Sequence, residues 1–444
     1  MVQKVAEIKI HQLIHLLSSE LDNLPDNRKP GNNTQYEISD AVLSAFSIFF
    51  TQSPSFLEHQ KLIEKMKCKN NADSLFKVKK IPSDNQIRNL LDPVPAATIY
   101  PVYQKIYQWL KNQKILDKFL YLESEILIAL DGTEYFSSKK INCPHCNSRN
   151  HRNGTTTYFH GCVIPAVVSP NMKQVICLEP EFIKKQDGYK KQDCENAAVK
   201  RWFNKNPSQR YENPVTLLGD DLYSRQPICE LALSKDYNFI FVCRETSHKT
   251  LYEWLEFLEK TGEVQTIKKK EWNGRKELVY RYRYTNKIPL KDGDDSLQVN
   301  WCEVTIINKK TEEITYKNSF ITNHQINDRN VEKIVKAGRS RWKIENESNN
   351  VLKNHGYNLE HNFGHGQNNL CEILLSLNLL AFLFHSVLKL ANSTYQRLHQ
   401  LNGSRRSFFN DIRALLKYFW FETWSDLLNF MLDDDSDKPK TNSS

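Results

Sequence analysis

The stretch ILIALDGTEYF, residues 126–136, decides the fold of this chain. Its first five residues form a continuous apolar run of strand length, which is typical of a strand buried on both faces of a sheet. The run stops at Asp131, so we predict that this carboxylate emerges where a strand meets a loop. Ligands commonly bind at such strand ends in open α/β sheets. An Asp-Gly pair is also a common turn, so this stretch alone leaves a purely structural role open.

A second short apolar strand is predicted at residues 215–218, and it also leads into acidic residues. It opens the stretch VTLLGDDLYSRQP, residues 215–227. Neighbouring residues of an extended chain point to opposite sides, so only one of Asp220 and Asp221 can face a shared site. We predict that Asp220 does so and that Asp221 caps the following helix, although the sequence leaves the reverse assignment open.

A third acidic residue, Glu345, lies in the helical stretch SRWKIENESNNVLKNHGY, residues 340–357. Arg341 precedes it by one helical turn, and that spacing by itself predicts a surface ion pair. Three carboxylates in one pocket would instead provide the hard oxygen ligands that Mg²⁺ prefers. Two such ions can clamp the entering and departing oxygens of a polynucleotide phosphodiester.

The patterning of the whole chain indicates an α/β protein with helical ends. Apolar residues recur three and four apart before residue 113, strands then alternate with helices, and alternating β-branched and aromatic runs follow after residue 247. We therefore predict a helical N-terminal region at 1–118, the first part of an α/β core at 119–246, an antiparallel β insertion at 247–324, the second part of the core with the Glu345 helix at 325–392, and C-terminal helices with a solvated tail at 393–444.

The composition is that of a soluble, folded protein. With 444 residues, 40% of them hydrophobic and 25% charged, the chain is too long for one ordinary core. Its net charge of +9 favours an anionic partner. The N-terminal residues lack the apolar run of a secretory signal, so we expect a cytoplasmic protein. Because Glu372, Asn378 and His385 interrupt the apolar segment 370–390, we predict a buried core helix there and no membrane association.

The motif CPHC, residues 143–146, has the cysteine spacing of a zinc knuckle. His151 and His160 are near enough in sequence to complete four ligands with Cys143 and Cys146, in a loop at 143–160. Two ordinary thiols in a reducing compartment would show the same spacing, so both interpretations stay open. A zinc ion here would be distinct from ions held by the acids, because thiolates suit zinc and carboxylates suit magnesium.

Cations alternate with aromatic residues in the first half of the insertion. The set includes Lys269, Lys270, Trp272, Arg281 and Arg283. This pattern is typical of surfaces that follow a nucleic-acid backbone and stack an extruded base, although an exposed β-ribbon with cross-strand aromatic pairs would show it too. The cations of the N-terminal helices give a similar choice between DNA binding and a solvated helical face.

In combination these motifs resemble the DDE transposases of bacterial insertion sequences. The resemblance rests on the strand before DGT at 131–133, the D-x-x-Y motif at 220–223, the β-rich stretch after it and RWKIENESNNVLKNHGYNLEHNFGHG at 341–366, and it spans residues 70–390. The chain is most similar to the cut-and-paste group, whose RNase H-like catalytic domain is interrupted by a β insertion. The resemblance implies that Asp131, Asp220 and Glu345 are the catalytic triad and hold two Mg²⁺ or Mn²⁺ ions.

The second signature of that group, Y-x2-R-x3-E-x6-K, is partly present. Arg341 and Glu345 fit it, Gly338 stands in the Tyr place and Leu352 in the Lys place, and Lys353 comes one residue late. The resemblance therefore implies a phosphate contact for Arg341 and, less directly, for Lys353. The segment 361–366, with His361 and His365, matches a recurrent feature of the group to which we assign no chemistry.

The resemblance implies metal-dependent DNA cleavage and strand transfer in the transposition of a mobile element. The implied partners are double-stranded DNA, as terminal inverted repeats and target, and a second copy of the chain in a homodimeric synaptic complex on the nucleoid. The group's insertion handles DNA hairpins, which favours the DNA role for the cations and aromatics above. Two alternatives stay open: a domesticated, non-catalytic DNA-binding protein, and an RNase H-like nuclease without strand transfer.

Overall fold

The structure is a computed structural model that describes residues 7–22, 24, 26, 28, 35–63, 70–185 and 193–433. Within these ranges the protein is a mixed α/β protein, with N-terminal helices, a central sheet of eleven strands and C-terminal helices. The solvated tail predicted after residue 433 lies outside the described residues.

The helices alternate with strands only in the middle of the chain. The helices are α1 (Ile10–Leu21), α2 (Ile38–Phe50), α3 (Phe56–Ile63), α4 (Asn71–Phe76), α5 (Asp84–Leu91), α6 (Tyr100–Asn112), α7 (Glu195–Lys205), α8 (Gln226–Ser234), α9 (Lys249–Lys260), α10 (Val331–Arg339), the π-helical turn Ile344–Asn349, α11 (Asn350–Asn354), α12 (Leu370–Ala391), α13 (Ser393–Leu401), α14 (Arg405–Tyr418) and α15 (Trp424–Asp433). The strands are β1 (Ile126–Ser138), β2 (Asn147–Asn150), β3 (Thr156–Val168), β4 (Ile176–Cys177), β5 (Glu181–Ile183), β6 (Val215–Gly219), β7 (Asn238–Val242), β8 (Gln265–Trp272), β9 (Glu277–Pro289), β10 (Gln298–Asn308) and β11 (Ile314–Thr322).

The sheet combines parallel and antiparallel pairing. Its strand order is β2-β3-β1-β6-β7-β11-β10-β9-β8, and β4 and β5 also pair with β3. Strands β1, β6 and β7 run parallel to one another, whereas β3 is antiparallel to β1 and β11 is antiparallel to β7. The apolar runs that begin β1 and form β6 are buried, as expected for central strands covered on both faces.

Strand β1 is longer than its apolar run predicts. The prediction ended the strand at Asp131, but the strand continues to Ser138 because β3 pairs with it along this whole length, up to Ser138↔Tyr158. Asp131 therefore lies within a strand, beyond the point at which its other neighbour, β6, ends.

The β-rich region predicted at 247–324 begins with helix α9 and then supplies strands β8 to β11. These strands extend the central sheet, because β11 pairs with β7 from Phe320↔Val242 to Thr322↔Ile240. The outermost strand, β8, is almost entirely exposed and carries three consecutive lysines, which is a common way to protect the edge of a sheet.

Helix α12 is the centre of the helical part of the molecule. By length and composition it could cross a membrane, yet 89% of its most apolar window is buried inside the protein. Helix α2 packs against it, with the rings of Phe46 and Phe384 5.0 Å apart. The carboxylate of Asp92, just after α5, accepts hydrogen bonds from the backbone N–H groups of Asn368 and Leu370. The N-terminal helices thereby fix the segment that leads into α12.

Candidate functional site

Asp131 and Asp220 lie side by side on neighbouring parallel strands. The pairing of β1 with β6 runs from Ile126↔Val215 to Ala129↔Leu218. Two residues beyond the last pair, Asp131 is level with Asp220, which is the first residue after β6. The structure thus brings two of the three predicted acids to the same edge of the sheet.

Arg341 and Asn349 connect Glu345 to Asp131. The guanidinium of Arg341 lies 2.7 Å from Glu345 Oε1 and 3.6 Å from Asp131 Oδ1. Asn349 Nδ2 donates a 2.7 Å hydrogen bond to Asp131 Oδ2. Glu345 and Asn349 both belong to the π-helical turn, and such turns frequently occur at functional sites. The surface ion pair predicted between Arg341 and Glu345 is present, and it also includes the first acid.

The two adjacent aspartates have different roles. Asp221 accepts a 2.7 Å hydrogen bond from the backbone N–H of Arg244 and another from the hydroxyl of Ser247, so it holds the loop after β7. Asp220 accepts a 2.9 Å hydrogen bond from the backbone N–H of Leu222, and its charge acts on Asp131. The charge of Asp220 thus acts on the other acids, while Asp221 fixes a loop and does not cap the next helix with its side chain.

A fourth carboxylate, from Glu195 at the start of α7, belongs to the same site and was missed in the sequence. The hydroxyl of Tyr223, fully buried, donates to Glu195, and the backbone N–H of Gly132 also bonds to it. A side chain at position 132 would overlap the Glu195 carboxylate, which explains the glycine after Asp131. The tyrosine of D-x-x-Y and the glycine of DGT thus both position Glu195, but no pattern around residue 195 indicates this.

Burial has the largest effect on the ionisation of the acids in this site. Burial raises the pKa of Asp131 to about 7; Arg341 opposes this shift, while the charges of Glu345, Glu195 and Asp220 add to it. Burial also raises the pKa of Glu195. A site that holds carboxylates in this state gains free energy when cations or donors neutralise them.

The acids do not form a closed ligand shell by themselves. Among the described residues, the only group of three or more potential ligands whose ligand atoms all lie within 4.8 Å of one another is Cys143, Cys146, His160 and His365. Arg341 stands between Asp131 and Glu345, and Glu345 keeps half of its side-chain surface exposed. The acidic site thus combines the largely buried carboxylate of Asp131 with the half-exposed carboxylate of Glu345, joined by one guanidinium.

The Cys₂His₂ group has the geometry of a tetrahedral metal site. The two sulfur atoms are 3.8 Å apart, and the three close sulfur-to-nitrogen distances are 3.4, 3.3 and 3.5 Å. With Zn–S near 2.3 Å and Zn–N near 2.0–2.1 Å, a tetrahedron requires separations of about 3.8 Å and about 3.6 Å. Contact with Cys146 lowers the pKa of the Cys143 thiol, so one thiolate is already favoured. This group could hold a metal such as zinc.

The fourth ligand differs from the one predicted. His151 is exposed, and its Nε2 atom lies 2.8 Å from the hydroxyl of Thr157, away from the cysteines. His365 takes its place, because the segment between α11 and α12 folds back over β1 and β3, where the His365 ring packs 4.3 Å from the ring of Phe136. The segment 361–366, to which the sequence assigned no chemistry, therefore supplies a potential metal ligand.

The partial second signature has a structural explanation. A side chain at Gly338 would overlap Phe320 and Ile240, so α10 lies directly on the sheet where the group has a tyrosine. Leu352 is fully buried, and Lys353 forms a 2.8 Å ion pair with Glu360. Of the two predicted phosphate contacts, only Arg341 is at the acids.

Two of the four predicted cations of the insertion, Lys269 and Arg283, are engaged in ion pairs within the fold. Arg283 pairs with Glu303 at 3.2 Å and with Glu259, and Lys269 pairs with Glu332. Arg281 is partly buried, whereas Lys270 and Trp272 on strand β8 are exposed. Strand β8 lies six positions from β1 in the sheet, about 29 Å away at about 4.8 Å per strand. Any DNA held by these two residues would contact the protein far from the acids.

Comparison with known proteins adds no family to these observations: neither a scan against protein-family models nor a search of curated proteins gives a match for this chain.

Proposed function

We propose that this protein is a DDE-type transposase, which cleaves DNA at the ends of an insertion sequence and joins those ends to a target. The observation that carries the proposal is the meeting of Asp131, Asp220 and Glu345, from three distant segments of the chain, at one edge of the sheet. The packing of a sheet does not require three carboxylates at this position. Two-metal phosphoryl transfer, in contrast, uses such a group of carboxylates to hold its cations.

The topology supports an RNase H-like core as part of this proposal. The first two acids follow adjacent parallel strands, and the third comes from a helical segment packed against the same edge. Strands β8 to β11 come between the second acid and the third in sequence, as the resembling group's insertion does.

The donor set fits divalent cations. The guanidinium of Arg341 contacts Asp131 and Glu345, and the charges of Asp220 and Glu195 also act on Asp131; this excess of hard, negatively charged oxygens is what Mg²⁺ or Mn²⁺ prefers. Asp131, Asp220 and Glu345 would hold the ions. When bound, two such ions supply activation of a water or 3′-hydroxyl and stabilisation of the leaving oxygen.

The remaining residues of the site position the carboxylates and offset phosphate charge. Asn349 holds the Asp131 carboxylate toward the π-helical turn, and Glu195 is held by Tyr223 and Gly132 behind the strand. Arg341 is close enough to both Asp131 and Glu345 to contact a phosphate placed between them, where it would offset phosphate charge. No covalent enzyme intermediate is needed, because positioning and charge stabilisation do most of the work in phosphoryl transfer.

We also infer that the Cys₂His₂ group holds a structural zinc ion. Four protein ligands leave no position open for substrate, which is the mark of a structural site. The ion would join the loop after β1 to β3 and to the segment between α11 and α12. Because that segment follows the π-helical turn, zinc would stiffen the frame that holds Asp131 and Glu345 together.

The test is a strand-transfer assay. The purified protein is incubated with Mg²⁺ and linear DNA that ends in the inverted repeats flanking its coding region, and both nicked and joined products are measured. Joined products are expected from the wild-type protein and none from Asp131→Asn, although that variant should still bind the DNA. Strand cleavage that survives in Asp131→Asn would refute the catalytic role.

The same assay separates the alternatives. An RNase H-like nuclease would give nicks without joined products, and a domesticated DNA-binding protein would shift the DNA without breaking it. The four carboxylates favour catalysis over binding alone, since DNA phosphates repel such a group unless cations are bound.

A further inference from the structure

A large cavity lies on the far side of the π-helical turn and is separate from both sites described above. Its volume is 860 Å³, which is within the usual range of small-molecule sites. It is enclosed by the loop at 172–175, the residues that follow Glu345, the end of α12, helix α13 and the start of α14. A nucleotide would fit within this volume.

The cavity is lined by cations that the fold does not neutralise. Lys389 extends from α12, Arg405 is the first residue of α14, and Lys173 lies on the facing loop. None of the three has an ion-pair or hydrogen-bond partner for its charged group among the residues described, although Lys173 is exposed and the Arg405 guanidinium lies 5.5 Å from the ring centroid of Tyr357. Glu347 is the one carboxylate in the lining, so positive charge exceeds negative charge there.

Two polar atoms of the lining are shielded from water as well as unpartnered, whereas Lys389 is half-buried and Lys173 is exposed. Arg405 Nη1 and His399 Nε2 are buried without a hydrogen-bond partner. Burial, together with the charges of Arg405 and Lys173, lowers the pKa of Lys389 to about 7. Leaving a buried polar group unpaired is unfavourable, and more so for a charged one. Two such atoms beside a half-buried lysine, all lining one cavity, point to a ligand that pairs with them.

We propose that this cavity binds a phosphate-bearing ligand of nucleotide size. A multiply charged anion suits three converging cations better than a single carboxylate would. The guanidinium of Arg405 offers a planar fork that matches phosphate oxygens. It lies at the N-terminus of α14, a helix of 14 residues; Ser404 caps one first-turn N–H, that of Ser407, and the helix dipole favours an anion at this end. The phosphate can belong to a free nucleotide or to the end of a nucleic acid strand.

The test compares thermal unfolding of the full chain at low ionic strength with two probes. The first is deoxyadenosine 5′-monophosphate, and the second is a 5′-phosphorylated DNA trinucleotide, each paired with its form lacking the phosphate. We expect a phosphorylated probe to raise Tm by about 2–4 °C at saturating concentration. A response to the mononucleotide assigns a free nucleotide, and a response to the trinucleotide alone assigns a strand end.

The variants Lys389→Met and Arg405→Met, and their double variant, test the location. Each should lose the probe-dependent rise, whereas Arg406→Met, an exposed neighbour that does not line the cavity, should keep it. Without probe, Lys389→Met should be at least as stable as the wild type, because it replaces a half-buried ammonium group that has no ion-pair or hydrogen-bond partner among the described residues. The proposal is overturned if neither phosphorylated probe stabilises the wild type, if the double variant keeps the response, or if Lys389→Met is clearly less stable than the wild type.

Discussion

Asn349 donates a 2.7 Å hydrogen bond to Asp131, and it is the only side-chain hydrogen bond that the Asp131 carboxylate accepts within the described part of the chain. Because Asn349 ends the π-helical turn that carries Glu345, this bond sets the distance between the segments of the first and third acids. The site therefore depends on a neutral residue that no charge pattern would identify.

Replacing Asn349 by Ala should slow DNA strand cleavage without abolishing it. A hydrogen bond to a charged group contributes about 1.5–3 kcal/mol, which corresponds to a tenfold to hundredfold loss of rate. Single-turnover cleavage at saturating Mg²⁺ measures the effect. Asn350→Ala, which removes an exposed neighbour on α11, is the matched control and should cleave at the wild-type rate. Equal rates in the two variants would show that the bond to Asp131 does not matter for chemistry.

The pair Asp220→Asn and Asp221→Asn should separate catalysis from stability. Asp220→Asn is expected to lose cleavage and to keep its stability. Asp221→Asn should keep cleavage within a few-fold but lose about 1–3 kcal/mol of unfolding free energy, because Asp221 holds the loop after β7 through Arg244 and Ser247. Cleavage rates and urea unfolding curves distinguish the two. The reverse pattern would assign the catalytic role to Asp221.

The raised pKa of Asp131 predicts a specific pH dependence of stability. In the folded protein its pKa is about 7, well above its ordinary value of 3.8, chiefly because of burial. As pH rises from about 4 to about 7, the unfolded chain ionises first, so this group makes the folded state progressively less stable. Above pH 7 the folded state keeps the full loss of stability that comes from ionising Asp131.

Asp131→Asn should therefore be more stable than the wild type at pH 8, by on the order of 2–4 kcal/mol, and equally stable at pH 4. Urea unfolding at both pH values, without added divalent cations, measures the difference. Added Mg²⁺ should stabilise the wild type at pH 8 and leave the variant nearly unchanged. A variant that is less stable than the wild type at pH 8 would contradict the buried, repelled state of Asp131.

Secondary-structure elements that depend on the local sequence pattern could be predicted. Features that depend on pairing with distant residues could not. The apolar runs of β1 and β6 and the buried helix α12 follow from composition and periodicity, which are local properties. The continuation of β1 past Asp131 depends on β3, which residues 132–138 do not encode by themselves. Likewise, the sequence showed a basic insertion but not that Arg283 and Lys269 already have acidic partners.

The acidic residues of the site also divide into three that could be selected from the sequence and one that only the fold shows. Asp131, Asp220 and Glu345 could be selected because each ends or lies in a recognisable element and because together they resemble a known motif. Glu195 could not, since its role depends on Tyr223 and on the missing side chain of Gly132, which only the folded chain brings together.

The Cys₂His₂ group allows a direct test of its fourth ligand, for which the sequence suggested His151. CPHC predicted two ligands and proximity in sequence suggested His151, whereas the fold brings His365 to the cysteines from a segment more than 200 residues later. We expect the wild-type protein and His151→Ala to contain one zinc ion per chain by elemental analysis, and His365→Ala to contain much less.

The same variants connect the metal to the acidic site. Cobalt-substituted wild type and His151→Ala should show the intense visible absorption of a tetrahedral thiolate site, and His365→Ala should not. Because the ion joins β3 and the loop after β1 to the segment after Glu345, losing it should also lower Tm and slow cleavage, while His151→Ala changes neither. Full zinc content in His365→Ala would mean that the fourth ligand is another residue and that the segment between α11 and α12 is held by packing alone.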